Sequence, residues 1–231
     1  MNNKYKERFK DAQWYKDYYE VQPIIGGAGG IGSHLSFLLS RMGFELLVYD
    51  FDTVDTINLA GQFYTEEQAR DGLSKVDALR SLIRDFTGTE IDTIDQAYSG
   101  DSVTGPVMIS AFDNMEARQT FFNAWVSDLE NCGDANIKPI FIDGRLNAES
   151  MEIYCVTPDR IEDYRKTLFS DGEVPEAPCT LKQTTHCASM IASHICGFLS
   201  NHLANSFSGE NDRVVPFKWE YLIPFDIKIS E

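Results

Sequence analysis

The chain has 231 residues and a formal net charge of −16, with 43% hydrophobic and 24% charged residues. A chain of this length buries roughly 70–75% of its unfolded surface, so it folds without staples. Its acidity argues against sequence-independent binding of nucleic acid or anionic membranes, whose phosphates it repels. Five cysteines (Cys132, Cys155, Cys179, Cys187 and Cys196) form no C-x-x-C pair. That pattern reads as reduced thiols in a cytoplasm, not as a structural zinc site. No apolar run approaches the ~20 residues of a membrane span. The opening "MNNKYKERFKDAQWYKDYY" is too charged for a signal peptide.

In chain order, the first 20 residues predict a short helix carrying Phe9, Trp14, Tyr15 and Tyr18, for packing on the body or on a second subunit. "QPIIG" predicts a buried strand ending in glycine. Leu35, Leu38, Leu39 and Met42 then follow a helical period, and "FELLVYD" is the next strand, which makes a β-α-β unit with a right-handed crossover. A helix over about 73–86 places Leu73, Val76, Leu79, Leu82, Ile83 and Phe86 on one stripe. Strands are predicted at "EIDTI", "VMISA", "KPIFIDG" and "MEIYCV", with a helix near 115–129 between the middle two. Thr157 to Gln183 lacks periodicity and carries Pro158, Pro175 and Pro178. Beyond it, Ile191, Ile195, Phe198 and Leu199 mark a last helix. The alternation predicts an α/β protein: an open, largely parallel sheet with helices on both faces, and one domain over residues 1–231.

The chemistry starts at "GGAGGIGS". Gly27, Gly29 and Gly32 fit G-x-G-x-x-G between a strand and a helix, where missing side chains let backbone N–H groups and the helix N-terminus touch phosphate oxygens. Asp50 ends the second strand, the place of a carboxylate that accepts from ribose hydroxyls. A nicotinamide oxidoreductase uses these same residues. Asn58 and Lys75 add polar groups past the carboxyl edge of the sheet, and Asp113 ends the apolar strand "VMISAF". A carboxylate in that crevice repels a bare pyrophosphate but suits a triphosphate bridged by Mg²⁺, which favours ATP over NAD. Taken alone, an Asp–Asn pair at this point is a helix N-cap.

Together, "GAGGIGS", "YDFDTVDTINLAGQ", "SK" at 74–75 and "SAFDN" resemble the ThiF/MoeB family, which includes the ubiquitin-activating enzymes. The resemblance covers about residues 20–120. It implies a pseudo-Rossmann fold, a homodimer, and Mg-ATP-dependent adenylation of the C-terminal carboxylate of a small ubiquitin-like (β-grasp) protein. By position, Gly27, Gly29, Gly30 and Gly32 would line the phosphates and Asp50 would hold the ribose. Asn58 and Lys75 would contact the triphosphate, Asp113 would organise magnesium, and Asp52 and Gln62 belong to the same nucleotide-binding motif. Where the family pattern reads N-L-x-R-Q this chain has "NLAGQ", so Gly61 replaces a phosphate-clamping arginine. Arg8 is a candidate replacement, acting within its own subunit or across a dimer. Arg118 also fits a family position, or else lies on a helix surface.

"EAPCTLK" resembles the catalytic-cysteine segment of ubiquitin-activating enzymes, which implies that Cys179, in a crossover loop over about 157–183, accepts the acyl group as a thioester. Lys182 nearby favours a thiolate. Cys155, Cys187 and Cys196 read as packed core thiols. A downstream conjugating or sulfur-transfer protein would take the activated group. A non-catalytic scaffold that binds ubiquitin-like tails remains the alternative from outside enzymology.

Overall fold

The apolar run ending at Gly26 forms β1 (Ile24–Gly26), buried at every position. The computed structural model describes residues 7–15, 21–131, 137–169 and 184–231 and builds an eight-stranded sheet around that strand. After β1 come helix α1 (Gly30–Arg41) and strand β2 (Leu47–Asp50). The short α2 (Glu66–Arg70) and α3 (Lys75–Thr87) lead to β3 (Asp92–Asp95). Strand β4 (Val107–Ser110), α4 (Met115–Ser127), β5 (Ile140–Asn147) and β6 (Ser150–Val156) follow. Then come α5 (Ile161–Arg165), the long α6 (Thr185–Ser208), β7 (Lys218–Leu222) and β8 (Ile227–Ser230).

The sheet order is β3-β2-β1-β4-β5-β6-β7-β8. The first five strands run parallel, as expected for β-α-β units, and β6, β7 and β8 extend the sheet antiparallel. Since β2 and β4 flank β1 on opposite sides, the strand order reverses there. A crevice opens at such a switch point, outside the carboxyl ends of the strands.

Local chemistry explains the main elements. Ser74 caps α3 by accepting from the Asp77 amide, Gly88 ends it in the left-handed region, and Val76, Leu79, Leu82 and Ile83 form its buried stripe. Asn114 caps α4 by accepting from the Ala117 amide. On α6, Ala188 and Ala192 sit among Ile191, Ile195, Leu199 and Leu203, all buried, and these small residues let the helix lie close against α1. Together with α3 these two helices cover one face of the sheet, and the aromatic cluster of Phe121, Phe122, Trp125, Phe141 and Tyr164 covers the other. Burying each large side chain of this kind contributes about 1.5–3 kcal/mol.

Three parts of the sequence reading change. Residues 8–14 form turns and not a continuous helix, although Trp14 does pack on the body, stacked 5.9 Å from Phe44. The stretch read as aperiodic contains α5, whose five residues are too few to show a period. The sequence reading has no strands after α6, yet β7 and β8 are there. In β7, Trp219 is buried, and its ring stacks 4.3 Å from His194 on α6.

Candidate nucleotide-binding site

The glycine loop leaves β1 by hydrogen bonds to both neighbouring strands: the Gly27 amide donates to the Tyr49 carbonyl at 2.8 Å, and the Ala111 amide to the Gly26 carbonyl at 2.7 Å. Gly27 has φ 96°, and a Cβ there would stand 2.8 Å from the Ala111 carbonyl oxygen. At Gly32 a Cβ would collide with the Gly27 carbonyl oxygen, so this glycine lets α1 start tight against the loop. Gly29 differs, since a Cβ there would meet only Gln62 Nε2, at 3.9 Å. Protein packing therefore does not demand glycine at 29, and the open space there leaves the backbone accessible to a ligand.

Gly29 caps α1 without any side-chain hydrogen bond, and the first turn, which begins at Gly30, holds no acidic residue. Its orphan N–H groups and the positive end of the helix dipole are suited to a phosphate. Gln62 Oε1 is buried and has no hydrogen-bond partner among the described residues. The loop and the uncapped helix make a cradle whose donors suit a phosphate, while the Gln62 oxygen, an acceptor, suits a hydroxyl or amino donor on a ligand.

Asp50 braces the cradle. Its Oδ2 accepts from the Ala28 amide at 2.6 Å and its Oδ1 from the Asp52 amide at 2.8 Å. Burial raises its pKa from the usual carboxylate value, and Lys75 and the two amides offset that only in part. The expected ribose carboxylate thus also shapes the loop. Lys75, the first residue of α3, is buried and donates from Nζ to Asp52 Oδ2 at 2.7 Å, while its amide donates to the Asp52 carbonyl at 2.8 Å. The expected phosphate cation is therefore held by a half-exposed carboxylate. Asn58 closes a short 3-10 turn, Thr56–Asn58, and its carbonyl accepts from both Gly61 and Gln62. Gly61 itself is buried.

Asp113 is exposed two residues past Ala111, and its Oδ1 receives Asn114 Nδ2 at 3.3 Å. The helix cap falls to Asn114, so capping does not consume Asp113. A single exposed carboxylate suits Mg²⁺, which keeps several waters and takes its other ligands from phosphate. Among the described residues, no group of three or more His, Cys, Asp or Glu could hold a metal by itself.

Two expected residues lie elsewhere. Arg8 borders a cavity with Phe9, Arg41 and Met42 at the C-terminal end of α1. That end is about 18 Å along the helix from the glycine loop, at 1.5 Å per residue. Arg118 is not on the helix surface: it is buried, paired with Asp143 and bound to the Phe112 carbonyl. Cys179 and Lys182 lie outside the described residues. Cys155, Cys187 and Cys196 are free buried thiols, and burial pushes Cys196 up to about 12 and Cys155 higher still.

The sequence reading missed several supports of the site. The Tyr64 hydroxyl donates to the Ala28 carbonyl at 2.6 Å, and burial followed by the nearby Asp50 charge keeps it protonated. Ser33 Oγ accepts from the Phe63 amide at 3.0 Å. Thr185, at the start of α6, donates its amide to the Ala60 carbonyl at 2.9 Å. The first two contacts join the residues just after "NLAGQ" to the glycine loop and the start of α1, and the third ties Ala60 of that segment to α6.

The fold and cradle define an α/β protein of the Rossmann-like class with a glycine-rich loop at its switch point. The ThiF family profile matches residues 3–221, and the chain belongs to that family. It is 34% identical over 125 residues to ubiquitin-like modifier-activating enzyme 5 of Drosophila grimshawi, covering 45% of this chain and 31% of that protein. The enzyme of the same name from Caenorhabditis elegans is 31% identical over 122 residues, covering 45% and 29%. The matched region thus spans about a third of the length of these relatives. Among solved structures, E. coli MccB superposes with a TM-score of 0.71 at 14% identity, covering 100% of this chain and 69% of that one. A structure of MccB with ATP gives 0.69 at 14% identity, covering 100% and 71%. PaaA gives 0.63 at 18% identity, covering 98% and 74%. At these identities the structural likeness concerns the fold. No described helix is long and apolar enough to cross a membrane.

Proposed function

We propose that the chain is one ThiF-type adenylation unit that activates the C-terminal carboxylate of a small ubiquitin-like protein with ATP. The observation that carries this reading is the uncapped, glycine-lined start of α1, with Asp50, Lys75 and Asp113 at the same sheet edge. The similarity to modifier-activating enzymes supports the substrate class, and the fold shared with an ATP-bound MccB supports the nucleotide.

The backbone amides at Gly29 and Gly30 would hold phosphate oxygens, and Asp50 has lone pairs left for ribose hydroxyls. Lys75 would turn from Asp52 to the phosphates, where its charge offsets the charge developing at the α-phosphorus. Asp113 would hold Mg²⁺, which supplies further neutralisation of the phosphates. The carboxylate of the modifier bonds to the α-phosphorus as the bond to pyrophosphate breaks. Cys179 would then attack the acyl carbon as a thiolate, releasing AMP and keeping the acyl group as a thioester for a downstream conjugating or sulfur-transfer protein. Arg8, far from its own glycine loop, would serve the site of a second subunit in a homodimer. The scattered cysteines, without a C-x-x-C pair, support a cytoplasmic setting.

The test is pyrophosphate release from ATP and magnesium with a candidate ubiquitin-like protein. Release is expected, with a reducible adduct that the Cys179→Ala variant loses while it keeps adenylation. No release with any β-grasp partner contradicts the reading. A second reading, a scaffold that binds such tails without turnover, is favoured by buried Gly61 in the place of the family arginine.

A further inference from the structure

Behind the loop that carries Asp113 lies a polar assembly that the proposed chemistry does not use. Its centre is Asp143 on β5, a carboxylate with no exposed surface. Asp143 Oδ2 accepts from Arg145 Nε at 2.7 Å and from the Tyr164 hydroxyl at 2.9 Å, and Oδ1 accepts from Arg118 Nη1. Burial by itself would raise this carboxyl, but Arg118 and Arg145 outweigh it and hold the group below the usual range.

Each arginine also donates to a segment away from Asp143. Arg118 donates to the Gly144 carbonyl at 3.1 Å and to the carbonyl of Phe112, the residue directly before Asp113. Arg145 donates to the Thr167 carbonyl at 3.1 Å and to Thr167 Oγ1 at 3.0 Å, in the turn that follows α5. Its guanidinium also lies 4.5 Å from the centre of the Tyr154 ring. The forks therefore point in two directions from one anion, toward the Asp113 loop and toward the α5 turn. A lysine cannot make these simultaneous contacts, because a planar guanidinium presents several donors in fixed geometry and an ammonium acts as a point charge.

We propose that Asp143 is a positioning residue whose two arginines fix, from one buried carboxylate, the loop that presents Asp113 and the turn at Thr167. The inference rests on the reading of Asp113 as the magnesium carboxylate, and it predicts that the node sets metal–nucleotide affinity without touching the nucleotide. The Phe112 ring occupies the space where a Cβ on Gly26 would stand, so a shift of this loop is also felt at the end of β1.

The test compares Asp143→Asn, Arg118→Lys and Arg145→Lys by amide hydrogen exchange of the ligand-free protein and by titration with ATP, with and without magnesium. Arg118→Lys is expected to speed exchange at residues 112–116 at least tenfold while β4 is unchanged, and Arg145→Lys to do so at 165–168 only. Asp143→Asn should affect both, and if it does not fold, the two lysine variants decide. Arg118→Lys should weaken ATP binding about tenfold with magnesium present and not at all without it, while Arg145→Lys keeps both affinities. Unchanged exchange at 112–116, or faster exchange spread evenly over β4 and β5, overturns the proposal. Should magnesium add nothing to ATP binding by the unaltered protein, the Asp113 reading fails, and exchange alone then decides whether Asp143 positions the loop.

Discussion

Asp50 and Asp143 both end up buried near the carboxyl edge of the same sheet, yet their environments push them in opposite directions. Asp50 has two backbone amides and a lysine that is itself paired with Asp52, and burial wins, raising its pKa. Asp143 faces two guanidiniums and a phenol, and the charges win over burial. The contrast separates a site from a joint. The cradle around Asp50 leaves donors, a buried amide oxygen and an uncapped helix without partners, a cost that a bound ligand can offset. Around Asp143 the donors have partners, and nothing is left over for a ligand to satisfy.

The largest effect on nucleotide binding should come from filling the space the cradle needs. Gly32→Val drives a side chain into the Gly27 carbonyl. It should remove nucleotide binding in calorimetry and cost about 3 kcal/mol of stability in denaturant melts. Gly29→Ala, at an open position, should keep the wild-type stability and still weaken nucleotide binding. If both glycines tolerate a side chain with full binding, the cradle is not the site.

Next comes the joint. Asp143→Asn leaves two buried guanidiniums facing a neutral amide and should destabilise by about 3–5 kcal/mol in chemical denaturation near neutral pH. The folded pKa of Asp143 is depressed, so its stabilisation is complete above the ordinary carboxylate value and is lost as pH falls through the depressed one. The gap between the wild type and Asp143→Asn should therefore close only in strong acid. A gap that stays constant down to that range would show packing, not charge, to be at work.

A smaller loss is expected at Lys75. Lys75→Met removes a charge-assisted contact to phosphate worth about 1.5–3 kcal/mol of nucleotide binding. Asp52→Asn should change stability by less than about 1 kcal/mol, because the carboxylate is half-exposed and screened. The smallest signal is the pH response of Asp50. Its raised folded pKa means that ionised Asp50 opposes folding, and protonation relieves this as pH falls. Nucleotide binding, which needs the ionised acceptor, should thus weaken on acidification at a pH above the usual carboxylate value, while the contribution of Asp50 to the melting temperature rises over the same range and is missing in Asp50→Asn.

The parts legible from sequence were those in which partners are close in the chain. The strand, glycines and helix from Ile24 to Arg41 follow one another, and so do Ser74 with α3 and Asn114 with α4. The capping alternative for "DN" was half right, since the asparagine takes that role and leaves the aspartate. The hidden parts join distant segments: Tyr64 to Ala28, Thr185 to Ala60, and Arg118 and Arg145 to Asp143. Arg118 sits in a helix whose pattern does not say which face meets β5, so its burial could not be read from spacing. Strands β7 and β8 escaped because a mixture such as "KWEYL" shows its alternation only once Trp219 is seen against α6.

The most direct test of the account is a calorimetric titration of the protein with ATP, with ATP plus magnesium, and with NAD, repeated on Asp113→Asn. The account predicts that magnesium tightens ATP binding at least tenfold, that Asp113→Asn erases this gain, and that NAD binds poorly. Tighter binding of NAD, or a magnesium gain that survives in Asp113→Asn, would contradict it.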